Sequence, residues 1–239
     1  MLQAKSIPFE SAMAKSYNNT MFKHIRSAAN AASEKLAEER GACPDAKDAG
    51  VKERFSHKMA VAPTASISII CGGASAGIEP IPANCYTHKT LSGSFPVRNS
   101  HLENLLESKG LNTPGVWANI LEHEGSVQHM EELDDHEKAV FRTAFEIDQR
   151  WVIEHAADRA PHICQAQSLN LFIAGNVNKW DLHMLHWTAW EKGVKSLYYC
   201  RSKSVQRAAF AGSLGKKTDM EKSMAAAAPT DYDECLACQ

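Results

Sequence analysis

The 239-residue chain, 26.3 kDa, is long enough for one large domain or two small ones. Its 44% hydrophobic and 23% charged residues are ordinary for a globular protein. The 26 Lys and Arg against 28 Asp and Glu leave a formal charge of -2, which excludes a basic nucleic-acid binder, whose pI lies above about 9. No apolar run approaches the roughly 18 residues of a membrane span. Mean hydropathy is -0.35, and the opening MLQAKSIPFESAMAK lacks the apolar core of a secretory signal. A cytoplasmic chain with neither nucleic-acid nor membrane partner is expected.

In chain order, Phe22, Ile25, Ala29, Ala32 and Leu36 recur at three- and four-residue steps and predict a helix over 11–40, stopped by Gly41 and Pro44. Residues 43–54 are polar and broken by Gly or Pro, and read as a loop. From Met59 the chain turns small and apolar, MAVAPTASISII, before the glycine- and proline-rich CGGASAGIEPIP. Such punctuation predicts no regular element, while Ile67, Ile69, Ile70 and Ile78 predict a buried loop or turn system. CYTHKTL reads as a short strand ended by Gly93 and Pro96.

Asn99 or Ser100 can cap a helix over 101–110, and Pro114 opens another that stops at Gly125. Leu133, Val140, Phe141, Ala144, Phe145, Trp151 and Val152 predict one longer helix over 134–158, interrupted by Pro161. ICQAQSLNLFIA reads as a buried strand with an attached loop. A helix then runs from Asn178 to Gly193 and feeds VKSLYYC, which is β-prone at nearly every position; this is an α/β connection. From Ser202 onward periodicity is lost and large apolar groups are few, so a flexible tail is expected. No internal repeat is present.

Three short strings could carry chemistry. Seven cysteines, an odd number in a chain with no secretory signal, argue against a disulfide framework. Of these, Cys235 and Cys238 form a CxxC at the end of the tail. An exposed dithiol there can exchange with disulfides, although Asp231, Asp233 and Glu234 disfavour its thiolate; an idle tail and a metal half-site are the alternatives. Tyr198 and Tyr199 are adjacent in the last strand, where one tyrosine would face the core and the other the surface. Pro63, Thr64, Ala65, Ser66 and Ile67 combine small hydroxyl groups with backbone amides that can cradle a phosphate, though Ser/Thr loops are common. None of the 11 histidines has HxxxH or HExxH spacing, so no metal site is expected.

In order, APTASIS, GIEP, CYTHKTLSGSFPVRN, CQAQSLNLF, GVKSLYYCRS and CLACQ resemble the second half of a class I ribonucleotide reductase large subunit, as does IPFESAMA upstream of the first helix. The resemblance runs from Ile7 to Gln239. It implies an α/β fold: the C-terminal part of a ten-stranded α/β barrel with outer helices over 1–201, and a flexible tail over 202–239 carrying the redox CxxC.

Position by position, the resemblance makes Pro63, Thr64, Ala65, Ser66 and Ile67 the loop that holds the substrate diphosphate. It makes Tyr198 and Tyr199 the pair that passes a radical toward the active site. Cys235 and Cys238 become the dithiol that re-reduces an active-site disulfide and is itself reduced by thioredoxin or glutaredoxin. The implied activity is reduction of ribonucleoside diphosphates to deoxyribonucleotides for DNA synthesis. No cofactor is expected on this chain, the radical coming from a metal-containing small subunit.

The family's thiyl-forming Cys, flanked by Asn and Glu, has no counterpart here: Asn84-Cys85 is followed by Tyr86. Cys43, Cys71, Cys85, Cys164 and Cys200 are therefore not promoted to active-site roles. The expected partner is the N-terminal part of the large subunit, from a split gene or a longer protein. The alternative is a non-catalytic fragment, or a redox or interaction protein derived from a reductase.

Overall fold

The computed structural model describes residues 1–72, 74–90 and 93–203. α1 (Ala12–Arg40) starts where the Ser11 side chain accepts the Ala14 N–H at 3.1 Å. Its buried residues Ala14, Asn18, Phe22, Ser33 and Ala37 are spaced by multiples of about one turn and form the stripe that faces the rest of the molecule. A short α2 (Pro44–Asp48) follows, opened by Pro44, in the stretch that reads as a loop; it buries Ala46.

The 59–78 region departs from the expected buried loop. α3 (Ala65–Ile70) is helical because glycine enters only after Ile70, and its isoleucines are outside: Ile67 is 58%, Ile69 56% and Ile70 83% exposed. A 3-10 turn, Ala76–Ile78, comes next. β1 (Cys85–Thr90) and β2 (Gly93–Arg98) form an antiparallel hairpin in register Cys85↔Arg98. Gly93 and Pro96 thus lie inside a strand instead of ending one. Proline is tolerated because a two-stranded hairpin has only edge strands, where its missing N–H need not be paired.

α4 (Ser100–Ser108) is capped by Asn99 and α5 (Pro114–Glu122) by Thr113. The single long helix expected over 134–158 is two: α6 (Asp135–Val140) and α7 (Gln149–Arg159). Local polar bonds break it. Glu146 Oε2 accepts the Thr143 N–H at 2.7 Å, Ala144 N–H is drawn to Ile81 O at 2.8 Å, and Asp148 recaps the chain by accepting the Arg150 N–H at 3.0 Å. Phe141, Ala144 and Ile147 are buried nonetheless, so the apolar periodicity persists across a non-helical turn.

β3 (Leu171–Ile173) pairs in parallel with β4 (Cys200–Ser202), and α8 (Lys179–Glu191), capped by Asn178, connects them. The last strand is shorter than VKSLYYC, yet Tyr198 N–H to Leu169 O (2.8 Å) and Leu171 N–H to Tyr199 O (2.9 Å) carry the pairing back to the tyrosines. Two main apolar clusters result. One joins α4, α5 and α6 around Leu102, Leu106 and Ile120; the other sets α7 against Leu169, Leu171 and Ala189. A third, smaller one holds Phe22 of α1 against Val61 and Ile163. Of the tail expected over 202–239, Ser202 instead closes β4 and Lys203 N–H bonds Ile173 O at 3.4 Å, because the pairing with β3 continues to that point; the rest, with Cys235 and Cys238, lies outside the described residues.

Candidate functional site

The site is organised by the extended segment 165–173. On one side, Gln165 N–H bonds Met59 O (3.0 Å), Val61 N–H bonds Ala166 O (3.2 Å) and Ser168 N–H bonds Val61 O (2.9 Å), with Val61 and Gln167 bridged in parallel. On the other side lie Tyr198 and Tyr199 and then β4. The segment that leads into the 63–67 turn and the segment that carries the tyrosines therefore flank the same central strand and run parallel to it. Sites at the carboxyl ends of parallel strands are the common arrangement in α/β proteins.

Val61 is buried and anchors the turn, and the chain then leaves the ladder through Pro63. Thr64 adopts a left-handed conformation (φ 54, ψ 29) as the N-cap of α3. Its hydroxyl does not cap the helix but accepts the Gly77 N–H at 3.0 Å. The first-turn amides of Ala65, Ser66 and Ile67 have no acceptor within the helix, because the first N–H groups of any helix lack one. With Ser66 exposed beside them, the turn presents donors to an anion.

Tyr198 and Tyr199 do not divide between core and surface. They are 40% and 42% exposed, and their ring centroids lie 4.1 Å apart at 51°. Both sit just before the short strand, so the strict face alternation of a strand does not hold there. The Arg201 guanidinium stands 5.6 Å over the Tyr199 ring. Two phenols in ring contact, on backbone fixed at Leu169 and Leu171, can exchange an electron over a short gap.

Between turn and tyrosines lies a buried polar cluster whose central residues, Glu79 and Asn170, fall in two of the quoted strings, GIEP and CQAQSLNLF, but to which the sequence assigns no role. Glu79 accepts from Asn170 twice, at Oε1 from the backbone N–H (2.7 Å) and at Oε2 from the side-chain amide (3.1 Å). Asn170 Oδ1 in turn accepts the Tyr199 N–H at 3.0 Å. Burial pushes the Glu79 carboxyl above its usual range, opposed by the Asn170 donors and the charges of Arg201 and Arg159. Arg159, 2% exposed, is itself lowered to about 10 by burial and donates to Gln167 Oε1 at 2.5 Å. In the sequence Glu79 stands out as the acidic residue of GIEP and as a carboxylate inside the otherwise small and apolar run 74–83, but neither signal says what it binds.

The five described cysteines, Cys43, Cys71, Cys85, Cys164 and Cys200, are unpaired thiols. Among the described residues no three His, Cys, Asp or Glu side chains gather to hold a metal. A groove of about 620 Å³ between the start of α7, the end of β3 and α8 contains neither residues of the 63–67 turn, nor the tyrosines, nor Glu79 and Asn170.

Residues 45–200 match the family described as "Ribonucleotide reductase, barrel domain". The chain is 46% identical over 209 residues to the ribonucleoside-diphosphate reductase large subunit of Invertebrate iridescent virus 6, covering 85% of this chain and 22% of that protein. It is 42% identical over 207 residues to the same subunit of Invertebrate iridescent virus 3, covering 85% of this chain and 32% of that protein. Among solved structures, the Actinobacillus ureae class Id ribonucleotide reductase alpha subunit superposes with a TM-score of 0.78 at 39% identity, over 87% of this chain and 38% of that one. The chain thus spans well under half the length of these relatives. The matched stretch includes both the 63–67 turn and the tyrosine pair, and on this agreement of sequence and fold the chain belongs to the ribonucleotide reductase barrel family, as a portion of the large subunit.

Proposed function

We propose that this chain contributes three parts to a ribonucleoside-diphosphate reductase. These are a substrate-diphosphate turn (Pro63, Thr64, Ala65, Ser66, Ile67), a radical-transfer pair (Tyr198, Tyr199), and a tail dithiol (Cys235, Cys238) over 202–239. The observation that carries the reading is the 4.1 Å contact between the two tyrosine rings, on backbone bonded to the same strand that anchors the turn. A phenol relays an oxidising equivalent by losing an electron and a proton together and regaining both in the next step. A radical-generating small subunit, metal-containing in this reading, supplies the oxidising equivalent.

The tail dithiol would deliver two electrons and two protons to the active-site disulfide, becoming a disulfide that thioredoxin or glutaredoxin reduces. The cysteine that attacks the substrate is assigned to the remainder of the large subunit, as is the rest of the barrel. The exposed isoleucines of α3 support such a neighbour.

The assembled enzyme tests this. Tyr198→Phe and Tyr199→Phe, which keep ring and packing but lose the ionisable O–H, should each abolish turnover without disturbing subunit association. Cys235→Ser with Cys238→Ser should allow one turnover and block recycling by thioredoxin. Full turnover by either tyrosine variant would sink the radical-transfer assignment. Retained multiple turnover with thioredoxin as the sole reductant would sink the tail assignment.

A further inference from the structure

We propose that Glu79 is a positioning residue for the tyrosine pair: its buried carboxylate fixes the orientation of the Asn170 amide, and that orientation holds the backbone of Tyr199. The functional meaning of this tie rests on reading the two tyrosines as a radical-transfer pair; the geometry does not.

Hydrogen-bond bookkeeping carries the assignment. Asn170 points two donors, its backbone N–H and its Nδ2, at Glu79, and keeps its one side-chain acceptor for the Tyr199 N–H. Two donors need two acceptors, which a carboxylate supplies and a carboxamide does not. With Gln at 79, one acceptor can meet the Asn170 backbone N–H, but its NH₂ then faces Asn170 Nδ2. Rotating the Asn170 amide removes that conflict and creates another, because Nδ2 then confronts the Tyr199 N–H. No orientation satisfies all three bonds, and a buried unsatisfied donor is costly.

The same carboxylate is tied to the substrate turn. Glu79 lies two residues beyond Gly77, whose N–H is held by Thr64 Oγ1. A Cβ at Gly77 would stand 3.3 Å from Glu79 Oε1, and Gly77 already needs φ +59, so the chain wraps closely around the carboxylate. One continuous path, Thr64 to Gly77 to Glu79 to Asn170 to Tyr199, joins the phosphate turn to the tyrosine backbone.

An exchange of chemistry between the two side chains tests the assignment. In Glu79→Gln with Asn170→Asp, Gln Oε1 accepts the residue-170 N–H, Gln Nε2 donates to one Asp oxygen, and the other accepts the Tyr199 N–H. Every bond is restored at unchanged net charge. Amide hydrogen exchange at Tyr199 in the full chain is the readout, with α7 as internal control. Glu79→Gln should speed exchange at Tyr199 about tenfold relative to α7, the loss of one hydrogen bond. The double variant should return it to the wild-type value.

In the assembled reductase, Glu79→Gln should lower kcat with little change in KM, and the double variant should recover it. Unchanged exchange at Tyr199 in Glu79→Gln, or a double variant worse than either single one, overturns the proposal. If Glu79→Gln fails to fold, the double variant decides: wild-type exchange supports the assignment, and failure to fold refutes it. A radical-transfer reading that fails would instead show as turnover by Tyr199→Phe, with the exchange results intact.

Discussion

At the residue scale, the fit of a few side chains and glycines decides what the local sequence can do. Asn84 is 1% exposed and directs Nδ2 to Gly125 O (3.0 Å) and Phe141 O (2.8 Å), closing the hairpin against the α5–α6 connection. Gly125 meets it at φ +80, where a Cβ would fall 2.6 Å from the Ala83 Cβ and 2.9 Å from the Asn84 backbone nitrogen. Neither neighbour is a flexible side-chain tip, so Gly125→Ala should destabilise the fold by about 2 kcal/mol or more, read as a lower urea midpoint at unchanged slope. In the sequence Gly125 reads only as a helix stop. The close approach behind it comes from residues 83 and 84, which nothing in the neighbouring sequence identifies. The role of Glu79 is the same kind of case: its partner Asn170, and Tyr199 reached through Asn170, lie about 90 and 120 residues away along the chain.

At the element scale, the starts of the longer capped helices α1, α4 and α8 are legible in the sequence, while the short α2 and α3 and the break before α7 are not. Ser11, Asn99 and Asn178 cap α1, α4 and α8 as their residue types suggest, because an N-cap bond reaches only two or three residues. Ser11→Ala should therefore cost about 1 kcal/mol of stability in denaturant unfolding. The gap between α6 and α7 leaves no mark in the apolar periodicity because the turn at 141–148 buries the same apolar positions that a continuous helix would.

Three helices meet at Glu154, which accepts from Lys15 of α1 at 2.9 Å and from Lys192 after α8 at 2.6 Å. The Lys192 bond, then the Lys15 bond, hold its carboxyl below the usual 4.5. A lowered folded-state value means the unfolded chain binds the proton first as pH falls. The contribution is whole above about pH 4.5 and disappears as pH drops through the lowered value. Glu154→Gln should be less stable than wild type at pH 7 by no more than about 1 kcal/mol, since the pairs are partly exposed. The two proteins should converge in acid; a pH series of urea midpoints reads both.

At the scale of the whole molecule, the described residues make an incomplete closed surface. β1–β2 and β3–β4 are two-stranded, and α3 leaves Ile67, Ile69 and Ile70 outside while α8 leaves Trp180, Trp187 and Trp190 outside. Apolar surface of this kind is covered in stable assemblies. Co-expression with the amino-terminal remainder of a large subunit of this family should give a stable complex with a higher Tm than the chain alone. A lone chain that is monodisperse, melts cooperatively and gains nothing from that partner would contradict the expectation.

The sequence by itself determined the family, most helix boundaries and the strings that carry the proposed chemistry, since caps, apolar periodicity and short motifs are encoded within a few residues of one another. Only the tertiary structure decided that the 63–67 turn opens a short exposed helix and that both tyrosines share one partly exposed place in ring contact. It alone revealed the buried Glu79–Asn170 link between them. Those outcomes depend on parallel pairing among segments near residues 60, 167 and 199, and contacts at such separation are set by how the whole chain packs, which no local pattern records.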